Sequence, residues 1–148
     1  DQALEQVRIA IEIDPGFYFS YLIAGGVYRR NKMYDEAYNA FKLAKKLAPE
    51  QTWSDAFGLV PLLVETGRRD EARQILDEML LQSQTRFISA GNIAMVYKSL
   101  GDNEAALKWL EKAYEQRDPR IAMIKTLPVW KDMHSDPRFR DLLQRAGF

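Results

Sequence analysis

Apolar residues recur along the chain at helical rather than strand spacing. Leu4, Val7 and Ile11 form one stripe that stops at Asp14-Pro15. Tyr34, Ala37, Tyr38, Phe41, Ala44 and Leu47 form a second, stopping at Pro49, and Leu107, Leu110, Ala113 and Tyr114 a third, stopping at Asp118-Pro119. Steps of three and four residues place side chains on one face of an α-helix, and proline ends it. Apolar segments over 18–29, 53–65 and 87–99 read as partner helices. No stretch alternates with a period of two and the connections are short, so the predicted class is all-α.

The stripes repeat. Ala3, Val7, Ala10 and Pro15 each lie 34 residues before Ala37, Phe41, Ala44 and Pro49. Ala72, Leu76 and Met79 lie 35 beyond the second set, and Ala106, Leu110 and Ala113 another 34 beyond that. In the partner helices Tyr28 and Tyr97 occupy equivalent places, with Leu63 between them, and turn-like segments at 30–34, 66–69 and 100–103 precede the alanines. A fixed period of this length marks a two-helix repeat. The alanines have a mechanical reason: closely crossing helices need small side chains at the contact. Gly25, whose equivalent is Ala94, serves the same need.

These positions resemble the tetratricopeptide repeat. The residues that carry the likeness are Tyr21, Ala24, Gly25, Tyr28, Ala37, Phe41, Ala44 and Pro49 in one unit, and Ile93, Ala94, Tyr97, Gly101, Ala106, Leu110 and Ala113 in another. A degenerate unit between them keeps Leu59, Val60, Leu63, Ala72, Leu76 and Met79. The resemblance implies a right-handed superhelical solenoid of antiparallel helix pairs. It divides the chain into a second helix of a truncated repeat at 1–15, repeat units at 16–51, 52–85 (degenerate) and 86–118, and a C-terminal helical cap at 119–148. The start in mid-repeat reads as excision from a longer chain. The tail, with Tyr114-Glu115-Gln116-Arg117-Asp118-Pro119-Arg120, Asp136-Pro137-Arg138-Phe139 and Leu142-Leu143-Gln144-Arg145-Ala146-Gly147-Phe148, is similar to the endings of bacterial arrays that follow cyclase, kinase or winged-helix regulator domains. That likeness implies a bacterial signalling or regulatory parent.

The tail also makes sense as a cover for the exposed apolar end of a solenoid. Asp118-Pro119 and Asp136-Pro137 each set an N-cap aspartate before a proline in the first helical position. Phe139, Leu142, Leu143 and Ala146 fall on one face of a short helix, and Gly147 suits its end. Ile121, Ile124, Leu127, Val129 and Trp130 are available to cover the last repeat.

Composition narrows the function. Lysine plus arginine is 21 and aspartate plus glutamate is 21, so the basic excess of a dedicated nucleic-acid binder is missing. Arg29-Arg30-Asn31-Lys32 and Arg68-Arg69 are small clusters at helix ends, where cations offset the dipole. The balance conceals a gradient: residues 1–15 carry a net −3 and residues 119–148 a net +3. It is either scatter on solvated faces or a bias toward head-to-tail contact between copies. Zero cysteines and one histidine argue against disulfides, thiolate zinc and multi-histidine metal sites. The longest apolar run, 57–64, is too short to cross a bilayer, and no charged-then-apolar leader opens the chain, so a cytoplasmic location is expected.

Catalytic chemistry finds little foothold. His134 has Asp132 and Ser135 for neighbours, but sequence neighbours rarely make triad geometry, and a surface or capping role is expected. The pairs Asp35-Glu36, Asp70-Glu71 and Asp77-Glu78 suit helix N-termini and solvent faces. No glycine-rich phosphate loop occurs. No catalytic, metal or cofactor-binding residue is assigned, and the expected protein is not an enzyme. Gly58 and Pro61 interrupt the predicted helix 53–65, either as tolerated degeneracy or as a kink that widens a groove.

In solenoids of this family the first helices line a concave binding face. By repeat position, that face takes Phe19, Leu22, Gly26, Arg29 and Arg30 from one unit, Ser54, Phe57, Pro61, Val64 and Glu65 from the next, and Ile88, Gly91, Asn92, Met95, Lys98 and Ser99 from the third. The carboxylate clamp of one subfamily has no match here: Leu22, Gly26, Gly58 and Ile88 stand at its positions and only Asn92 is polar. The face reads as apolar centrally with a basic corner at Arg29, Arg30 and Lys98, suited to a peptide or helix. The expected function is a protein–protein interaction scaffold with a protein or peptide partner and neither nucleic acid nor membrane. The alternative is self-association through uncovered repeat ends.

Overall fold

The computed structural model describes residues 2–48, 53 and 56–148, which form helices and no strand among the described residues. Pro49 and Ser54 lie outside them. The chain divides into two compact units, residues 1–72 and 73–148.

The first unit holds α1 (Gln2–Ile13), α2 (Tyr18–Arg30), α3 (Tyr34–Leu47), α4 (Ala56–Glu65) and the start of α5 (Arg69–Gln82). Val7 of α1 is buried with Ala24 and Val27 of α2 and Ala40 of α3, while Leu4, Ile11 and Tyr28 pack around them. Ala37 and Ala44 are completely buried, as close helix crossing requires. The α2–α3 corner reverses the chain in three residues. Lys32 adopts a left-handed conformation (φ 60°), its N–H donates to the Arg29 carbonyl, and the Met33 N–H donates to that of Tyr28. This doubly bonded helix end recurs at Gly67 (φ 79°) and Gly101 (φ 85°), one repeat period on each time.

Helix α4 starts at Ala56 rather than at residue 53; Trp53 is buried outside it, with the Lys45 ammonium 5.0 Å from its ring centre. The expected interruption does not break α4, which is continuous through Pro61. Gly58 has a packing reason. The Phe41 ring lies between Gly25 and Gly58; a Cβ on Gly25 would meet the ring at 2.5 Å, and one on Gly58 would overlap it.

The second unit holds the rest of α5, α6 (Ala90–Ser99), α7 (Asn103–Glu115), 3-10 segments at Pro119–Met123 and Pro128–Ser135, and α8 (Pro137–Arg145). Helix α6 starts three residues later than expected, because the Ser89 hydroxyl caps it by accepting the Asn92 N–H at 3.1 Å, leaving Phe87 exposed before the cap. Asp118 and Asp136 cap as predicted, accepting the N–H groups of Arg120 (2.9 Å) and Arg138 (2.8 Å), although Asp118 opens a 3-10 segment rather than an α-helix.

The tail's apolar side chains join the repeat's core. Ile121, Ile124, Trp130, Met133, Phe139, Leu142 and Leu143 are buried in one cluster with Ala90, Ala94, Ala106, Leu110 and Ala113. Trp130 and Phe139 stack at 6.1 Å. Three ion pairs, Lys98–Asp132, Glu104–Arg138 and Glu111–Arg145, each 2.6 Å long, join residues 34 positions apart. Residues one period apart occupy equivalent places in successive units, so the tail takes the position of a further repeat: α8 replaces its second helix and the 3-10 segments its first.

Candidate interaction surface

The sequence-predicted surface residues fall in both units and are met there differently. On α2, Phe19, Leu22, Gly26 and Arg29 or Arg30 follow one another at three- and four-residue steps and form a single stripe. Phe19 is half-exposed, Leu22 and Gly26 are partly so, and Arg30 is exposed. Ile23, which the repeat mapping passed over, is also half-exposed beside Phe19. Gly25 and Gly26 are adjacent yet opposite in environment: the first presses on the Phe41 ring, whereas a Cβ on the second would meet nothing within 4 Å. Packing therefore explains Gly25 and leaves Gly26 as an open dent in the stripe.

Phe57, Pro61 and Val64 form a similar partly exposed row on α4, which packs against α2. The two helices are tied at their ends by Arg29 and Glu65, 2.7 Å apart. That pair removes Arg29 from the expected basic corner as a free cation.

In the second unit the same mapping meets a more closed surface. Ile88 and Asn92 are buried, so their side chains do not line an open face. Gly91 is covered too: its N–H donates to Asp118 (3.0 Å), and a Cβ there would meet the Arg120 Cβ at 2.6 Å. Met95 packs partly against the core. The Lys98 ammonium is satisfied by Asp132 (2.6 Å) and Asn103 (2.9 Å), with its side chain only 9% exposed. That hydrogen bond holds the Asp132 carboxyl below its ordinary range. Sequence position could not show this, because the partners of Lys98 come from the tail and from α7.

Asp118 was legible only as an N-cap. It is in fact a buried carboxylate that also accepts the Ser89 hydroxyl at 2.6 Å and so fastens the end of the α7 turn to the start of α6. Charge-assisted bonds of this kind position backbone strongly.

The residues with catalytic potential are not assembled. His134 is exposed with its ring edge-on to Phe139 at 5.3 Å, Ser135 donates to the Asp132 carbonyl, and Asp132 is engaged by Lys98. Among the described residues no three of His, Cys, Asp and Glu gather as metal ligands, and no helix is long and apolar enough to cross a membrane.

Helix pairs closed by the same turn at one period, with small residues at the crossings and a partly exposed first-helix face, define a protein built of helix-pair repeats. Residues 20–51 and 89–118 match the tetratricopeptide-repeat family model. Over 112 residues the chain is 25% identical to anaphase-promoting complex subunit 3 of Schizosaccharomyces pombe, a match that covers 76% of this chain and 17% of that protein. No solved structure gives a significant match.

Proposed function

We propose that this chain is a non-catalytic interaction scaffold that receives a peptide or helix along the first-helix faces, with α2 and α4 as the better-formed part of the surface. The carrying observation is the α2 stripe, in which the uncovered backbone of Gly26 lies between half-exposed apolar side chains and Arg30. A dent beside apolar anchors is where a partner's side chain buries area, and a basic end favours an acidic residue in that partner. Phe19 and Phe57 supply the anchors on α2 and α4, and Met95 is the apolar candidate on α6. A relative that is a subunit of a complex supports an assembly role. The tail's likeness to the endings of bacterial regulators supports a regulatory parent.

Gly26 gives a test that separates binding from folding. Replacing a helical glycine whose Cβ site is empty stabilises the helix by roughly 0.5–1 kcal/mol. Gly26→Gln should therefore raise the melting temperature while weakening, by tenfold or more, peptides selected from a displayed library against the wild-type protein. Phe19→Ala should weaken the same peptides. Undiminished affinity in both variants would refute the reading.

A further inference from the structure

The two ends of the chain carry complementary features in separate units. At the end of α1, Ile13 is 79% exposed and Phe17 stands half-exposed just beyond it. Acids surround them. The last turn of α1 has no basic residue, contains Glu12 and runs into Asp14, so two carboxylates sit at the helix pole that is already negative. Arg8 offsets Glu12 only at 3.8 Å, and Asp14 turns back to accept the Gly16 N–H. The result is an apolar knob in a negative setting.

In the second unit an open cleft of about 300 Å³ lies where the α7 turn, the first 3-10 segment and the end of α8 meet. Ile121, Ala122, Ala146 and Phe148 give it apolar walls. Asp118 and Arg145 also line it, the first bonded to Ser89 and Gly91 and the second paired with Glu111 and Asp141, so the positive charge at its rim comes from Arg117. Arg117 is exposed in a left-handed conformation (φ 53°), and Lys125 lies 5.8 Å from the centre of the Phe148 ring. The surrounding tail has the net +3 already noted, against −3 for residues 1–15.

From this complementarity we infer that the occupant of the cleft is a second copy of the chain, whose Ile13 knob enters it with Glu12 and Asp14 opposite Arg117 and Lys125. The contact is heterologous, joining one patch on one copy to a different patch on the next. It is independent of the peptide surface on α2 and α4, since it uses neither Phe19 nor Gly26. Opposite charge steers the approach and sets the orientation, and the apolar knob excludes water from the pairing.

The test uses the whole chain and two exposed substitutions. Ile13→Asp removes the knob and leaves the cleft; Ala122→Glu blocks the cleft and leaves the knob. In sedimentation across a concentration series the wild-type protein should associate, and more weakly as salt rises. Each variant alone should stay monomeric, with a helical circular-dichroism spectrum matching wild type. Mixed in equal amounts they retain one intact knob and one intact cleft, so dimers should return and grow no further. A wild-type monomer at every concentration, association of Ile13→Asp alone, or a mixture that stays monomeric would each overturn the proposal; the last outcome would point to contact between like ends.

Discussion

Phe41 and Gly58 touch so closely that the ring occupies the space a side chain on Gly58 would need. Helix α4 thus crosses over a phenylalanine rather than beside it, and the glycine that looks like a flaw in an apolar helix is the condition for that crossing. Gly58→Ala should cost about 1–3 kcal/mol by overpacking. Phe41→Ala should cost about 3–5 kcal/mol by leaving a cavity. Denaturant unfolding of Gly58→Ala combined with Phe41→Leu should recover part of the glycine's penalty; strict additivity would show that the two do not share the space.

Lys32 occupies a left-handed position that its equivalents, Gly67 and Gly101, fill with glycine. A side chain there is strained where glycine is not. Lys32→Gly should therefore stabilise the protein by up to ~1 kcal/mol, and Gly101→Ala should destabilise it by a similar amount, both read from thermal melts. A loss of stability in Lys32→Gly would place the favourable contacts of its side chain above the backbone strain.

The tail is integral to the second unit's core. Trp130 and Phe139 are completely buried and stacked, against alanines of α6 and α7. Trp130→Ala should cost about 3–5 kcal/mol. A chain ending at Asp118 should aggregate or bind hydrophobic dyes, since Leu110 and Ala113 would lose their cover. Equal solubility and stability of that truncation would contradict the packing.

Acid should loosen the tail. The Lys98 ammonium lowers the Asp132 carboxyl, and Arg138 lowers those of Glu104 and Asp136, in each case chiefly through a side-chain hydrogen bond. A carboxyl lowered in the folded state stabilises fully above its unfolded value, about 4 for these groups, and that contribution is lost as pH falls through the folded value. Tryptophan fluorescence, with Trp130 in the tail, should therefore report a transition below about pH 4. In Asp132→Asn and Glu104→Gln the transition should become shallower, with lower stability at neutral pH. An unchanged pH profile in the double variant would remove these pairs from the account.

The interaction surface was only partly legible. Helical spacing is enough to put Phe19, Leu22, Gly26 and Arg30 on one face of α2, because a helix fixes which residues share a side. It is silent on what comes to cover that face. Ile88 is the repeat equivalent of Phe19 yet is buried, as is Asn92, and Lys98 is claimed by an aspartate 34 residues away. Asp118 likewise reads as a local cap, although its second oxygen serves residues 27 and 29 positions earlier.

By itself, the amino-acid order determined the all-helical class, the 34-residue period, the small residues at the crossings and the caps at Asp118 and Asp136. Each depends on local geometry, in which a residue's neighbours along the chain decide its conformation. Only the tertiary structure decided that Gly58 yields to Phe41, that Gly26 beside the packed Gly25 is open, and that the tail stands where a further repeat would. Those depend on distances between segments remote in sequence, where a contact of a few ångströms is set by how whole helices come together.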